Sequence, residues 1–263
     1  MDPGLHSPFL DFFRRGEVAK DVRLLAARGA LAPRAHEQIA LLALLTDDAD
    51  PEVRGTAEAT LAQIPNDSLA MFLGRSDVPD GLREFFRGRG IEPNTEAAAA
   101  SDDPLVDTEP ESEAPPGDPE EDEETARQGT SQRLALMGVG EKMKAAMKGT
   151  KEERAALIRD PNKLVSVSVL SSPKLSESEV EKFAKLSNVS EEILRIIGMN
   201  RGWIKNYGVV SALTKNPKTP LGVAMRFVQR LNERDLKVIA MDRNLQEPLK
   251  LLVRKRLAGD DKK

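Results

Sequence analysis

PNKLVSVSVLSSPKLSESEVEKFAKLSNVSEEILRIIGMN (residues 161–200) and IKNYGVVSALTKNPKTPLGVAMRFVQRLNERDLKVIAMDRN (residues 204–244) carry one pattern of residues twice. Matching residues lie 43 or 44 positions apart, and they are Asn162 and Asn206, Leu170 and Leu213, Pro173 and Pro217, Phe183 and Phe227, Ile193 and Leu236, Ile196 and Ile239, and Asn200 and Asn244. A truncated third copy, LQEPLKLLVRKRL, follows at residues 245–257. A period of about 40 to 47 residues is typical of stacked repeats of two or three helices. The sequence therefore predicts an all-α repeat architecture for this part of the chain.

Each copy is expected to contain three helices. They are predicted near residues 161–171, 177–187 and 191–199 in the first copy, and near 204–214, 220–231 and 233–242 in the second. Their starts are marked by side chains that cap helix N-termini. These predicted caps are Ser176 with Glu179, Ser190, Thr219 before Pro220, Asn232 with Asp235, and Asn244 with Glu247.

One heptapeptide conflicts with a purely helical interpretation. LVSVSVL at residues 164–170 alternates apolar and polar residues, which is the pattern of a strand. Its counterpart in the second copy, YGVVSALTK at residues 207–215, does not alternate. Because the two blocks are interpreted as copies, we predict a helix for both.

The N-terminal part also shows helical spacing and a recognisable motif. Residues 45–61 read L-x-D-x-x-D-P-x-V-R-x-x-A-x-x-x-L, with Asp50 as expected N-cap and Pro51 at the first helical position. VRLLA at residues 22–26 echoes VRGTA at residues 53–57. This pattern resembles the second-helix signature of HEAT repeats over residues 17–64, and the blocks at 161–257 resemble HEAT or armadillo repeats. The resemblance implies two short α-solenoid modules.

Composition divides the chain into three parts. Residues 1–92 are predicted to form the N-terminal HEAT-like module, and residues 131–263 the C-terminal repeat module. Between them, residues 93–130 are rich in Pro, Glu, Asp and Ser with little to bury, which predicts an acidic disordered linker. Residues 95–128 hold 13 acids and one base, whereas residues 129–263 hold 27 bases and 15 acids. Either a solvated spacer or a regulatory acidic decoy fits the linker.

Several classes of function are disfavoured by what the sequence lacks. It contains no Cys, which excludes thiol chemistry and Cys-based zinc sites, and with only two His a His-based metal site would need carboxylates for most of its ligands. No nucleotide-binding, hydrolase or metalloprotease motif occurs. No signal peptide or run of about 20 apolar residues is visible. We therefore expect a soluble, cytoplasmic, bacterial-style protein that is not an enzyme, with no catalytic residue, cofactor, metal or membrane contact, and with its oligomeric state open.

Candidate partner-binding residues lie in the second copy and just before it. Trp203 and Tyr207 are the only Trp and Tyr of the chain, and a helical spacing of four residues would place them on one face. Armadillo-like solenoids are similar in using Trp and Asn side chains to grip extended peptides, so Asn206 joins the candidates. The remaining candidates are the cations Arg201, Lys205, Lys215, Lys218, Arg226 and Arg230. The alternative interpretation is that both rings fill the seam between repeats.

Two functions follow as expectations. The first is a non-enzymatic scaffold or adaptor that binds protein partners through stacked helical repeats. The second is a nucleic-acid-binding protein whose basic C-terminal module is masked in cis by the acidic linker, since Lys and Arg attract phosphate backbones. Few aromatics are present for stacking on bases, which counts against recognition of single strands.

Overall fold

The computed structural model describes residues 7–96, 101–106 and 123–260, and the side chains of all of these except residues 123–128 and 259–260. Within these ranges every regular element is helical: 16 α-helices and two short 3-10 helices, without a strand. The prediction of an all-α protein is confirmed. None of the described helices combines the length and apolar composition needed to cross a bilayer. The chain divides into two compact units, Met1–Lys174 (unit 1) and Leu175–Lys263 (unit 2).

Unit 1 contains ten α-helices among its described residues. They are α1 (Pro8–Arg14), α2 (Lys20–Ala27), α3 (Ala35–Leu45), α4 (Pro51–Gln63), α5 (Asn66–Leu73), α6 (Asp80–Arg87), α7 (Glu123–Leu136), α8 (Val139–Lys148), α9 (Lys151–Leu157) and α10 (Lys163–Leu170). Helices α3 to α6 contribute most of one apolar cluster, which contains Ile39, Leu42, Leu61, Leu69, Phe72, Leu82 and Phe86. Helix α2 packs against α4, and α8 packs against both α2 and α10. Unit 1 therefore joins helices from both sides of the predicted linker.

The HEAT-like motif has the local geometry expected at its helix start. The Asp50 carboxylate accepts the backbone N–H of Glu52, and Pro51 occupies the first position of α4. Arg54 donates to the carbonyl oxygens of Asp48 and Ala49, and these bonds tie the α3–α4 turn to the first turn of α4. The predicted N-cap is confirmed, whereas membership of the HEAT class stays a prediction.

Unit 2 contains six α-helices within its described residues. They are α11 (Glu177–Lys185), α12 (Glu191–Met199), α13 (Tyr207–Lys215), α14 (Leu221–Phe227), α15 (Glu233–Met241) and α16 (Glu247–Asp260). One 3-10 helix, Trp203–Lys205, precedes α13, and another, Val228–Arg230, continues α14. Helix α13 packs against α11 and α14, while α16 packs against α14 and α15.

The predicted three-helix order recurs in both blocks. Helices α10, α11 and α12 lie in residues 161–200, and α13, α14 and α15 lie in residues 204–244. LVSVSVL is helical, as the comparison of the two blocks predicted. The boundary between the units, after Lys174, lies inside the first block. The order of helices is thus repeated, while the solenoid stacking of the copies stays a prediction.

Most of the predicted N-caps are present. Ser176 forms a capping box with Glu179, Ser190 accepts the N–H of Ile193, and Asn232 accepts that of Asp235. Two are wrong. No side chain caps α14, and Thr219 Oγ1 is buried without a partner among the described residues. Helix α16 begins at Glu247, two residues after the position that an Asn244 cap requires.

Part of the predicted linker differs from a disordered chain. Residues 101–106 run without regular structure against α3, and residues 123–130 belong to α7. The N–H of Asn94 donates to the carbonyl oxygen of Ala70 in α5. The other linker residues, 97–100 and 107–122, lie outside the described residues, so the prediction of disorder stays untested there. The domain boundaries predicted at 92/93 and 130/131 also stay predictions.

Candidate functional site

An open groove of about 300 Å³ lies between α11 and α13 in unit 2, and we call it the α11–α13 groove. It is lined by Glu181 and Lys185 from α11, by Tyr207, Gly208, Ser211, Ala212 and Lys215 from α13, and by Asn216 and Pro217. The packing of α11 against α13 sets its width. Of the residues predicted to bind a partner, Tyr207 and Lys215 line this groove.

A glycine allows the groove to be narrow near the start of α13. A Cβ added at Gly208 would lie 2.3 Å from a carboxylate oxygen of Glu181. Any side chain at Gly208 would therefore displace Glu181 from the first turn of α13. That position places a carboxylate near a helix N-terminus, where negative charge is stabilising.

Tyr207, Ser211 and Lys215 form a stripe along α13 that converges on one carboxylate of α15. The Tyr207 hydroxyl donates to Asp235 Oδ2 at 2.5 Å, Ser211 donates to the same oxygen at 3.0 Å, and Lys215 Nζ donates to Asp235 Oδ1 at 2.7 Å. The Tyr207 oxygen also accepts the backbone N–H of Asn232 at 3.1 Å. These bonds fix the Tyr207 ring and join α13 to α15.

The network changes the acid strength of its members. Burial alone would raise the pKa of Asp235, but hydrogen bonds from Lys215, Tyr207 and Ser211 together outweigh it and lower that pKa. The pKa of the Tyr207 hydroxyl is raised, first by burial and also by the neighbouring Asp235 carboxylate. At neutral pH a protonated Tyr207 phenol therefore faces an ionised Asp235 carboxylate.

Trp203 and Tyr207 do not share a helix face, which corrects the prediction. Trp203 begins a 3-10 helix that ends at Lys205, and Asn206 then caps α13 by accepting the N–H of Gly208 at 2.8 Å. The other end of the Asn206 amide donates to Glu177 at 3.1 Å. Asn206 thus has a structural role at this helix start, and the predicted Trp–Asn–Tyr cluster is divided by it.

Apart from Lys215, which pairs with Asp235, the predicted cations fall into two groups. Arg226 donates to the Gly198 carbonyl, and its guanidinium lies 5.0 Å from the centre of the Phe227 ring, with that of Arg230 at 5.9 Å. In contrast, the side chains of Arg201, Lys205 and Lys218 are exposed and make no hydrogen bond or ion pair with described residues. Lys218 also borders a second, open cleft of about 600 Å³ together with Ser190, Thr219 and Gln246.

Sequence reasoning missed Asp235, Ser211 and Glu181 as parts of the site. The spacing of Tyr207, Ser211 and Lys215 by four residues each is a signal that could have found the stripe. Asp235 was predicted only as part of a helix cap. It lies 20 to 28 residues from the residues of the stripe, so no local pattern in the sequence indicates that it contacts them.

The groups that the site offers can be stated for the described residues. Within residues 7–96, 101–106 and 123–260, no group of three His, Asp or Glu side chains is placed to hold a metal ion. The α11–α13 groove offers hydrogen-bonding groups, an aromatic ring and paired charges. Comparison with protein-family models, with curated proteins and with solved structures finds no match for this chain.

Proposed function

We propose that the protein is a non-enzymatic interaction scaffold and that its α11–α13 groove binds an extended segment of a protein partner. The observation that carries the proposal is the state of Tyr207, which is 40% exposed at the groove and yet held at its hydroxyl by Asp235 and Asn232. An exposed aromatic ring in a fixed orientation is the kind of anchor on which protein interfaces depend.

Preorganisation supports this role. Ordering a side chain on binding costs about 0.5 to 1.5 kcal/mol. For Tyr207 much of that cost is already met in the unbound protein, because two hydrogen bonds hold the ring. The ring can then contribute its apolar face to a partner, while its hydroxyl stays satisfied.

The charges around Tyr207 favour a segment of mixed character. Lys185 pairs with Glu181 at 2.6 Å, and Lys215 pairs with Asp235 of α15 at 2.7 Å, so two cations and the Glu181 carboxylate line the groove. Ala212 and Pro217 add apolar surface. We expect a ligand that places an apolar or aromatic side chain on Tyr207 and polar backbone groups beside the two ion pairs.

The first test removes the anchor. Peptides selected from a display library on the full-length chain are expected to bind Tyr207→Ala at least about tenfold more weakly, which corresponds to about 1.4 kcal/mol. Tyr207→Phe keeps the ring and loses the hydroxyl bonds, so it should weaken binding less. The measurement is a titration of each labelled peptide by fluorescence anisotropy.

The matched control is Val238→Ala, which changes another half-exposed apolar residue of unit 2 that does not line the groove. It should leave the affinity of the selected peptides unchanged. Failure to select any peptide, or equal binding to the parent protein and to Tyr207→Ala, would contradict the proposal.

Nucleic-acid binding is the second candidate, supported by the exposed cations without described partners. Unit 2 holds 18 Lys and Arg against 11 Asp and Glu. If it binds phosphate backbones, log K should fall with log salt by about 0.9 for each phosphate neutralised on duplex DNA. The triple variant Arg201→Ala, Lys205→Ala, Lys218→Ala should then lower that slope by about 3 at most. Binding that is absent or insensitive to salt would eliminate this candidate, and masking by residues 95–128 stays a prediction that depends on it.

A further inference from the structure

Residues 101–106, with the sequence SDDPLV, run along helix α3 of unit 1 without regular structure and bend at Leu105 and Val106. The contact begins at Asp102. Its carbonyl oxygen accepts the N–H of Ala35 at 2.9 Å, and its carboxylate accepts the N–H of His36 at 3.2 Å and lies 2.6 Å from His36 Nδ1. Arg75 approaches the same carboxylate at 3.5 Å and donates to the carbonyl oxygen of Ser101. Asp102 is thus bound by the first residues of α3 and by the side chains of His36 and Arg75.

Gln38 binds the backbone at the other end of the segment. Its side chain is buried, with 1% exposure, and Oε1 accepts the N–H groups of Leu105 and Val106 at 2.7 and 3.0 Å. Nε2 donates to the carbonyl oxygens of Val106 and Gly29, both at 3.0 Å. Three of these four bonds go to the backbone of the segment. A side-chain amide that pairs with backbone N–H and C=O groups in this way can bind any segment that presents them, whatever its side chains are.

The side chains of the segment add apolar contacts. Leu105 and Val106 are half-buried and pack against the cluster formed by α3 to α6. Gly29 has a φ of +79°, and a Cβ added there would lie 3.1 Å from Val106 Cβ. A side chain at Gly29 would therefore crowd Val106 as well as strain the backbone.

We propose that the surface formed by Gly29, His36, Gln38 and Arg75, here called the segment-binding surface, is a peptide-binding site that the chain occupies in cis with residues 101–106. Its ligand in trans is a segment of a protein partner with an acidic residue followed, three and four positions later, by two apolar residues. The cis segment has this pattern in Asp102, Leu105 and Val106. This site is separate from the α11–α13 groove and does not depend on it.

Competition between the cis segment and a free peptide determines how tightly the peptide is expected to bind. A segment tethered to its own site acts at an effective concentration of the order of mM. A partner must overcome that local concentration, so free peptide should bind the parent protein poorly. Weakening the cis segment should expose the site, and the gain in affinity measures how strongly residues 101–106 compete.

The experiment uses the full chain and a labelled peptide that contains residues 99–108, AASDDPLVDT. The release variant carries Asp102→Ala, Leu105→Ser and Val106→Ser, which remove the carboxylate and the apolar pair of the cis segment. We expect the peptide to bind the release variant at least about tenfold more tightly than the parent protein. Adding Gln38→Ala should abolish that binding, and a peptide with the same three substitutions should not bind.

Two outcomes overturn the proposal. One is a release variant with parental helix content that does not bind the peptide. If the release variant does not fold, hydrogen exchange on the parent protein decides instead. If the amide hydrogens of Leu105 and Val106 exchange faster than those of Ile39 and Leu42 in the core, the segment opens locally and can leave its site, which supports the proposal. Exchange of all four amides at one global rate shows that residues 101–106 are a fixed part of the fold.

Discussion

Asn216→Asp is expected to lower the free energy of unfolding of unit 2 by about 3 kcal/mol, because two carbonyl oxygens lose their donor and a buried carboxylate replaces it. Asn216 is 5% exposed and its Nδ2 donates to the carbonyl oxygens of Ala184 and Leu186, at 2.8 and 2.9 Å. Its Oδ1 accepts the N–H of Lys218 at 3.0 Å. The amide therefore holds the end of α11 and the α13–α14 turn together.

The transition can be followed in unit 2 alone. Trp203 is the only Trp of the chain and belongs to unit 2, so its fluorescence during urea denaturation reports on that unit. Asn188→Asp is the matched control, since Asn188 is exposed and makes no side-chain hydrogen bond with described residues. It should change the stability by no more than about 0.5 kcal/mol. A midpoint of Asn216→Asp equal to that of Asn188→Asp would show that the buried amide does not hold these elements.

Local chemistry explains why helices and most caps could be predicted. A cap bonds to an amide two or three residues away, so Ser176, Ser190 and Asp50 carry their evidence within one turn. Local evidence was not enough to predict the helix at residues 164–170, because the pattern of those residues alternates like a strand. It was found because the second block supplied an independent copy without that alternation.

The candidate site was predicted only in part, for reasons that are also local. Tyr207 and Lys215 were identified by residue type and do line the groove. Their partner Asp235 on α15 is reached only through long-range side-chain hydrogen bonds, which have no local signature in the sequence. The shared face of Trp203 and Tyr207 failed because Asn206 caps a helix between them. Asn206 aligns with Asn162, which caps α10, and this alignment indicates that Asn206 is also a helix cap.

The segment at residues 101–106 could not be predicted from composition. Two Asp residues and a Pro in a Glu-rich stretch indicate a chain that cannot form a core of its own. Its order depends on Gln38, which lies 67 and 68 positions away from Leu105 and Val106. Contacts with Gln38 and helix α3, and not the composition of the segment, determine its conformation.

Gly74→Ala tests the contact between the chain at Asn94 and the end of α5. It should lower the free energy of unfolding of unit 1 by about 2 kcal/mol. Gly74 follows α5 with an ordinary φ of −69°, so backbone freedom does not explain the glycine. A Cβ there would lie 1.9 Å from the carbonyl oxygen of Asn94. Residues near Asn94 would have to move away and lose the bond from the Asn94 N–H to the Ala70 carbonyl, 2.8 Å in the parent protein.

The same substitution at Gly55 provides a control of opposite sign. Gly55 lies inside α4, and an added Cβ meets nothing within 4 Å. Since Ala is favoured over Gly in a helix interior by about 0.8 to 1 kcal/mol, Gly55→Ala should stabilise unit 1. Urea denaturation followed by far-UV circular dichroism should therefore move the two midpoints in opposite directions. Stabilisation by both variants would mean that the chain near Asn94 yields without cost, and that its close approach to α5 contributes nothing to the stability of unit 1.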